Sequence, residues 1–270
     1  MKNTIKKTLR KASKIWVALA ALIPASLNAQ SIFTGLRSQT EFQIDNRASY
    51  SARESQTGAK TETLANNFIL KYWNGTNRGV FAFVNLPYKN IKSGENESRG
   101  IGDISLGVGP RFERKIGKNK LGLITYLGGV LPTGNSGTAL TLGTGRIDYK
   151  AGLFGTFLSG SKRYEADFSL DYTMTEKKEI SNDFNGGLVL GGMINNNLRL
   201  VAGPLFNYKI SGNNNGDGTL TGRINLRYTP SGNFGKKMHF ELWYDRLIES
   251  HGASSARNSD ALTLVSRINF

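Results

Sequence analysis

The sequence has no cysteine, only two histidines and only six prolines among its 270 residues. Without cysteine there is no disulfide scaffold, no thiolate zinc site and no catalytic thiol. His239 and His251 alone cannot build a histidine-rich metal centre. No stretch approaches the ~18 unbroken apolar residues of a membrane-spanning helix, and helical periodicity is scarce throughout. What remains abundant is glycine, with 32 residues, and basic charge, with 35 Lys and Arg against 20 Asp and Glu.

A formal charge of +15 invites a nucleic-acid or anionic-surface partner. Its position argues otherwise. Residues 1–29 hold Lys2, Lys6, Lys7, Arg10, Lys11 and Lys14 and no acidic residue. The apolar run Ile15–Ile23 follows, then Pro24 and the small-residue stretch Ala25–Ala29. That order is the n-region, h-region and cleavage site of a secretory signal peptide. The expectation is cleavage after Ala29, export, and a single domain over residues 30–270. That domain carries 29 basic and 20 acidic residues, a net +9, and every glycine. An exported, cysteine-free, glycine-rich chain of this kind is not expected to bind nucleic acid.

Period-two alternation recurs along the whole domain. In 163–174, Tyr164, Ala166, Phe168, Leu170, Tyr172 and Met174 interleave with Arg163, Glu165, Asp167, Ser169, Asp171 and Thr173. The pattern predicts twelve strands near 40–50, 62–73, 79–88, 103–115, 120–131, 146–158, 163–174, 184–194, 198–210, 219–229, 236–247 and 259–270. The first is the weakest, with Phe42 and Ile44 as its only strong apolar positions. Long and short gaps alternate without exception. The short ones are turn sequences such as Gly117-Lys118-Asn119 and Asn195-Asn196-Asn197.

A soluble sandwich turns its apolar set inward and uses strands of ~5–6 residues. A transmembrane barrel turns that set outward, uses ~9–11-residue strands and an even strand count, and alternates short periplasmic turns with longer outer loops. Strand length, loop alternation and the count of twelve predict an all-β, closed antiparallel transmembrane barrel, with both termini on the periplasmic side. A closed barrel also pairs every backbone polar group that lipid cannot satisfy. Tyr72, Trp73, Phe112, Tyr149, Tyr164, Tyr172, Tyr208, Tyr228 and Tyr244 fall near strand ends, where interfacial girdles sit. The last strand ends Leu262-x-Leu264-x-Ser266-x-Ile268-x-Phe270. A terminal Phe270 after alternating apolar positions resembles the signal read by the outer-membrane barrel-assembly machinery.

Three further pieces carry a family resemblance. Gly100-Ile101-Gly102-Asp103 leads into a strand, Leu131-Pro132-Thr133-Gly134 closes one, and Leu142-Gly143-Thr144-Gly145 precedes Asp148-Tyr149. In order and spacing they resemble the outer-membrane family of the MetA-pathway of phenol degradation, over most of the exported chain. The resemblance implies a small barrel in the cell outer membrane that passes small, often apolar or aromatic, compounds.

The polar face, turned inward, supplies Lys71, Arg111, Glu113, Asp148, Lys150, Glu165, Asp167, Asp171, Arg199, Lys209, Arg223, Arg227, His239, Glu241, Asp245 and Arg267 as lumen-lining candidates. Charged ladders of both signs tune selectivity in aqueous pores; paired, they would instead fill the lumen, and a barrel of twelve strands accommodates either. The expected function is passive diffusion of a small solute through this charged lumen, with loops 89–102 and 132–145 folding in as a constriction. Partners would be outer-membrane lipids, periplasmic chaperones and the assembly machinery. No cofactor, metal or enzymatic step is implied. An outer-membrane lipid-modifying enzyme is the first alternative, and needs a positioned Ser–His pair. His239 lies on the polar face, whereas His251 lies in a loop near Ser254 and Ser255 without an orienting third group. A plugged structural or adhesive barrel is the second. Asn213, Asn215 and Asp217 imitate part of a calcium loop, but that loop lacks the closing bidentate Glu.

Overall fold

The computed structural model describes residues 42–55, 57–74, 78–135, 140–161, 163–175, 181–212, 215–231, 238–252 and 256–270. The expected signal segment, parts of the 211–218 loop, and Ser254 and Ser255 lie outside them. Strands dominate: β1 (Phe42–Ser55), β2 (Lys60–Trp73), β3 (Arg78–Ser93), β4 (Asn96–Ile101), β5 (Ile104–Ile116), β6 (Asn119–Leu131), β7 (Asp148–Leu158), β8 (Tyr164–Thr175), β9 (Asp183–Met193), β10 (Leu198–Lys209), β11 (Gly218–Tyr228), β12 (Met238–His251) and β13 (Ala256–Asn269).

Every strand pairs antiparallel with its neighbour, and β1 pairs with both β13 and β2, which closes the sheet. The closed ring has twelve members, because the short β4 only prolongs the β3 side in line with β5. Closure leaves no open ladder edge in the ring. At the seam the Phe270 N–H donates to the Phe42 carbonyl at 3.0 Å, with the two rings 6.1 Å apart. Two of the hairpins turn on glycines that hold a positive φ, Gly117 at 61° and Gly94 at 59°, a conformation that side-chain-bearing residues resist.

The burial alternation fixes the two faces. On β8, Glu165, Asp167, Ser169 and Asp171 are buried, while Tyr164 and Leu170 are exposed. The outer surface is a continuous apolar belt that includes Val80, Val108, Leu127, Leu190, Ile224 and Leu226. Aromatics bound it above and below. Phe42, Tyr72, Phe112, Tyr164, Tyr228 and Phe270 lie toward the rim that carries the termini, and Tyr88, Tyr149 and Tyr208 toward the far rim.

Three expectations need correction. The eleven-residue gaps after the first strand and before the last shrink to residues 56–59 and 252–255. There β1, β2 and β13 continue with mainly polar residues, β1 paired to both, and β12 continues against β11. Residues 89–102 are not an inward loop either. They complete a β3–β4 hairpin in which Tyr88 to Ser93 pair with Ile101 to Asn96. Trp73, expected in the outer girdle, faces the interior and is only 4 % exposed, because its neighbour Tyr72 takes the outward position.

Candidate functional site

All sixteen charged candidates fall on the inward face of their strands. They do not form one ring. Most of the tightly paired ones gather toward the rim that carries the termini. There Asp45 accepts from Lys71 Nζ at 2.6 Å, from Arg47 at 2.8 Å and from Arg267 Nε at 2.8 Å. Arg267 continues to Glu241 Oε1 at 2.7 Å, and Glu241 lies 3.3 Å from Arg227 Nε. Arg227 then reaches past β10 and β9 to Asp167, at 3.0 Å, and to Glu165 on β8, where Arg199 also binds. The result is an unbroken chain of ion pairs from β2 through β1, β13, β12 and β11 to β8, with β10 joined through Arg199. Asp45, Lys71 and Arg267 are at most 1 % exposed. Charges so withdrawn from water persist because each is paired and hydrogen-bonded, Lys71 to Asp45 and to the Gln43 side chain, Asp45 to three cations and Arg267 to two carboxylates. Asn225 and the Trp243 indole each donate to Glu241 at 2.8 Å.

A second group stacks above this floor. Arg223 meets Asp245 through two 2.6 Å contacts, and its guanidinium lies 4.6 Å from the centre of the Trp243 ring. On the termini side of β5 and β6, Arg111 pairs with Glu113, which also accepts from Lys120, both at 2.9 Å. Toward the far rim, Asp148 pairs with Arg146 at 2.8 Å. Lys150 and Lys209 face inward there without full burial. His239 faces inward with its Nδ1 3.0 Å from the Thr229 hydroxyl. His251 is exposed, its ring 6.4 Å from Tyr208.

The opposite sector of the wall is apolar inside. Ile69, Trp73, Phe81, Phe83, Ile124, Tyr126 and Phe154 form one buried cluster across β2, β3, β6 and β7. Phe83 meets Tyr126 edge-on at 5.3 Å, and Tyr126 stacks on Phe154 at 5.2 Å, both within the favourable range for ring pairs. The Tyr126 hydroxyl donates to buried Asp171 and so ties the aromatic sector to the charged one. A Cβ at Gly152 would lie 2.2 Å from the Tyr126 ring. Gly152→Val should therefore displace that ring and cost about 1–3 kcal/mol, read as a lower unfolding midpoint in detergent.

Sequence reasoning missed Asp45 and Arg47, because the first strand lacks a strong apolar set. It also missed the aromatic sector. The signal was present: residues 68–70 (Phe-Ile-Leu) and 80–84 (Val-Phe-Ala-Phe-Val) are apolar without alternation, the pattern of strands buried on both faces.

The three motifs that carry the family resemblance meet at one place. Asn85 pairs with Ser105 but Tyr88 with Ile101, so Leu86 and Pro87 face three residues, Gly102 to Ile104. Asp103 keeps the inward parity of Ser105 and Gly107, and this one-residue bulge brings Gly102 to the same side; both are buried. The Asp103 carboxylate accepts from the backbone N–H of Gly134 at 2.9 Å and from that of Thr144. The Thr133 hydroxyl donates to the Gly102 carbonyl at 2.9 Å and accepts from Ile104 N–H at 3.0 Å. Lys89 Nζ donates to the Leu142 carbonyl at 3.2 Å. The described parts of the 132–147 connection are thereby drawn to the inner side of β3.

With this geometry defined, known structures supply the comparison. The chain is similar to the crystal structure of the COG4313 outer membrane channel from Pseudomonas putida F1, with a TM-score of 0.66 and 14 % identity over 86 % of this chain and 96 % of that one. The likeness is one of fold. A weaker one, with a TM-score of 0.51 and 10 % identity, relates 84 % of the chain to all of the NanC porin. No family model and no curated protein matches the sequence.

Proposed function

We propose that the chain is an outer-membrane channel that passes small solutes by passive diffusion through the barrel. The observation that carries this reading is the inversion of the faces. Large apolar side chains cover the outside while ion pairs lie inside, the reverse of a soluble barrel. The similar fold of a protein described as an outer membrane channel supports it. So does the convergence of the three motif pieces around Asp103, which also favours membership of the MetA-pathway of phenol degradation family. Export through the 1–29 signal, contact with outer-membrane lipids, and insertion by the assembly machinery through Phe270 belong to the same reading. The chemistry is non-covalent: nothing in it calls on a cofactor, and neither histidine is required to act as a base.

The aromatic sector supports small apolar or aromatic solutes, whose rings would travel along Phe83, Tyr126 and Phe154 opposite the charged wall. The burial of the ionic floor favours a closed resting state, so passage requires its pairs to part. A barrel plugged permanently by the same pairs is the competing structural reading. Uptake into proteoliposomes of a small neutral aromatic solute distinguishes the two. Uptake above that of protein-free vesicles is expected. Equal rates across solutes of graded size would contradict the channel reading.

A further inference from the structure

We propose that Asp103 is the pin that holds the described residues of the connection, 132–135 and 140–147, against the inner wall and so sets the width of the channel mouth. The inference rests on the channel reading above and assigns its constriction to one side chain. Asp103 points inward as the continuation of the inward set Ser105, Gly107 and Arg111 of β5, and the bulge opposite Leu86 and Pro87 brings Gly102 to the same side and leaves Asp103 outside the ladder. Both of its carboxylate oxygens are used on backbone N–H groups of the connection, Oδ1 on Gly134 and Oδ2 on Thr144. Those donors belong to no strand ladder, so a carboxylate takes the place of the missing backbone acceptors.

The surroundings are built to the same end. Leu142 is buried, and its N–H donates to the Asn135 carbonyl at 2.9 Å, which closes the base of the connection on itself. A Cβ at Gly143 would stand 2.2 Å from Asp103 Oδ1, and one at Gly134 would stand 2.7 Å from the Gly143 Cα. Only glycine at both positions lets the connection come this close. Lys89, which donates to the Leu142 carbonyl, lies on the same inward face of β3 as Phe81, Phe83, Asn85 and Pro87. The pinned segment therefore sits inside the wall, across part of the opening. A connection of this length without strand structure in its described residues is uncommon unless it serves a function.

The test compares the wild-type chain with Asp103→Ala, Asp103→Asn and Gly143→Ala in planar bilayers, together with amide hydrogen exchange over residues 132–147. Heat-modifiable electrophoretic mobility checks that each barrel is folded, since none of these positions takes part in the ring's strand pairing. Asp103→Ala should raise the conductance of the open state, in which the floor pairs have parted, about twofold or more, because the mouth then loses its narrowest element. Asp103→Asn keeps one acceptor and should fall between it and wild type. Gly143→Ala should widen the mouth by an independent route. Exchange in 132–147 should accelerate in Asp103→Ala and Gly143→Ala alike. Folded variants with wild-type conductance and wild-type exchange overturn the pin. A wild-type protein that never conducts overturns the channel reading, and the exchange comparison then decides the pin by itself.

Discussion

Arg227→Ala should destabilise the folded barrel by about 3–5 kcal/mol, the cost of leaving buried charge without its partner. Arg227 contacts Glu165, Asp167 and Glu241, and so joins the β12 carboxylate to the β8 pair. With the guanidinium gone, Glu165 keeps its pair with Arg199 and Glu241 its pair with Arg267, while Asp167 loses its ion pair. The expected result in urea titrations of detergent-solubilised protein is a large drop in midpoint with little change in slope. Arg227→Ala/Glu165→Gln should recover part of the loss, since neutralising one carboxylate relieves the uncompensated charge. The two changes are therefore non-additive. The same single variant should open the floor toward cations, because Glu165, Asp167 and Glu241 then face only two guanidiniums of this local set, Arg199 and Arg267, where three balanced them before. A measured cost below about 0.5 kcal/mol, the range of ordinary surface changes, would show that the ion chain is solvated and that the lumen is open at this level.

The second large effect concerns the outside. Leu127 is 71 % exposed on β6. It lies between the level of Phe112, which pairs with Leu123, and that of Tyr149, which pairs with Gly129. It thus stands near mid-height in the belt. Leu127→Arg should cost about 2–4 kcal/mol in a lipid bilayer, where an arginine near the midplane must leave water. On a soluble barrel the same change at so exposed a position would cost almost nothing. Unfolding equilibria in liposomes separate the two outcomes. A control substitution at exposed Tyr164, close to the rim, should cost much less, because the penalty falls toward the interface.

The barrel was legible in the sequence because a lipid-facing strand has to alternate. Tyr164 to Met174 and Leu220 to Tyr228 state their inner and outer faces residue by residue, and twelve such segments account for the closed ring. The pattern faded where burial stops deciding. Beyond the belt, Ala52 pairs with Glu62 and Arg53 with Thr61, pairs with no apolar side to betray the strand. The β3–β4 hairpin was hidden for the same reason: Asn96-Glu97-Ser98-Arg99 resembles a loop, yet its backbone pairs fully with Asn90 to Ser93.

The site was legible only as a list of charges. Alternation places Arg227 and Glu165 on the inner face, but nothing in the spacing of β8 and β11 says that they touch across two intervening strands. Alternation also puts Asp103 in the inward set with Ser105 and Gly107, but does not say what it binds. A one-residue bulge changes the parity of the strand at Gly102, and a strict period-two pattern carries no mark of it. The glycine-rich motifs gave the hint to its partners. Their shared purpose, room for backbone beside a buried carboxylate, is visible only in three dimensions.

The central claim is that an apolar-coated barrel with a charged, partly aromatic interior conducts across a membrane. Single-channel recording of the purified protein in a planar bilayer tests it most directly. Discrete conductance steps are predicted for the wild type, with ion selectivity that shifts toward cations in Arg227→Ala. A folded, membrane-inserted protein that gives no steps in either form would contradict the account.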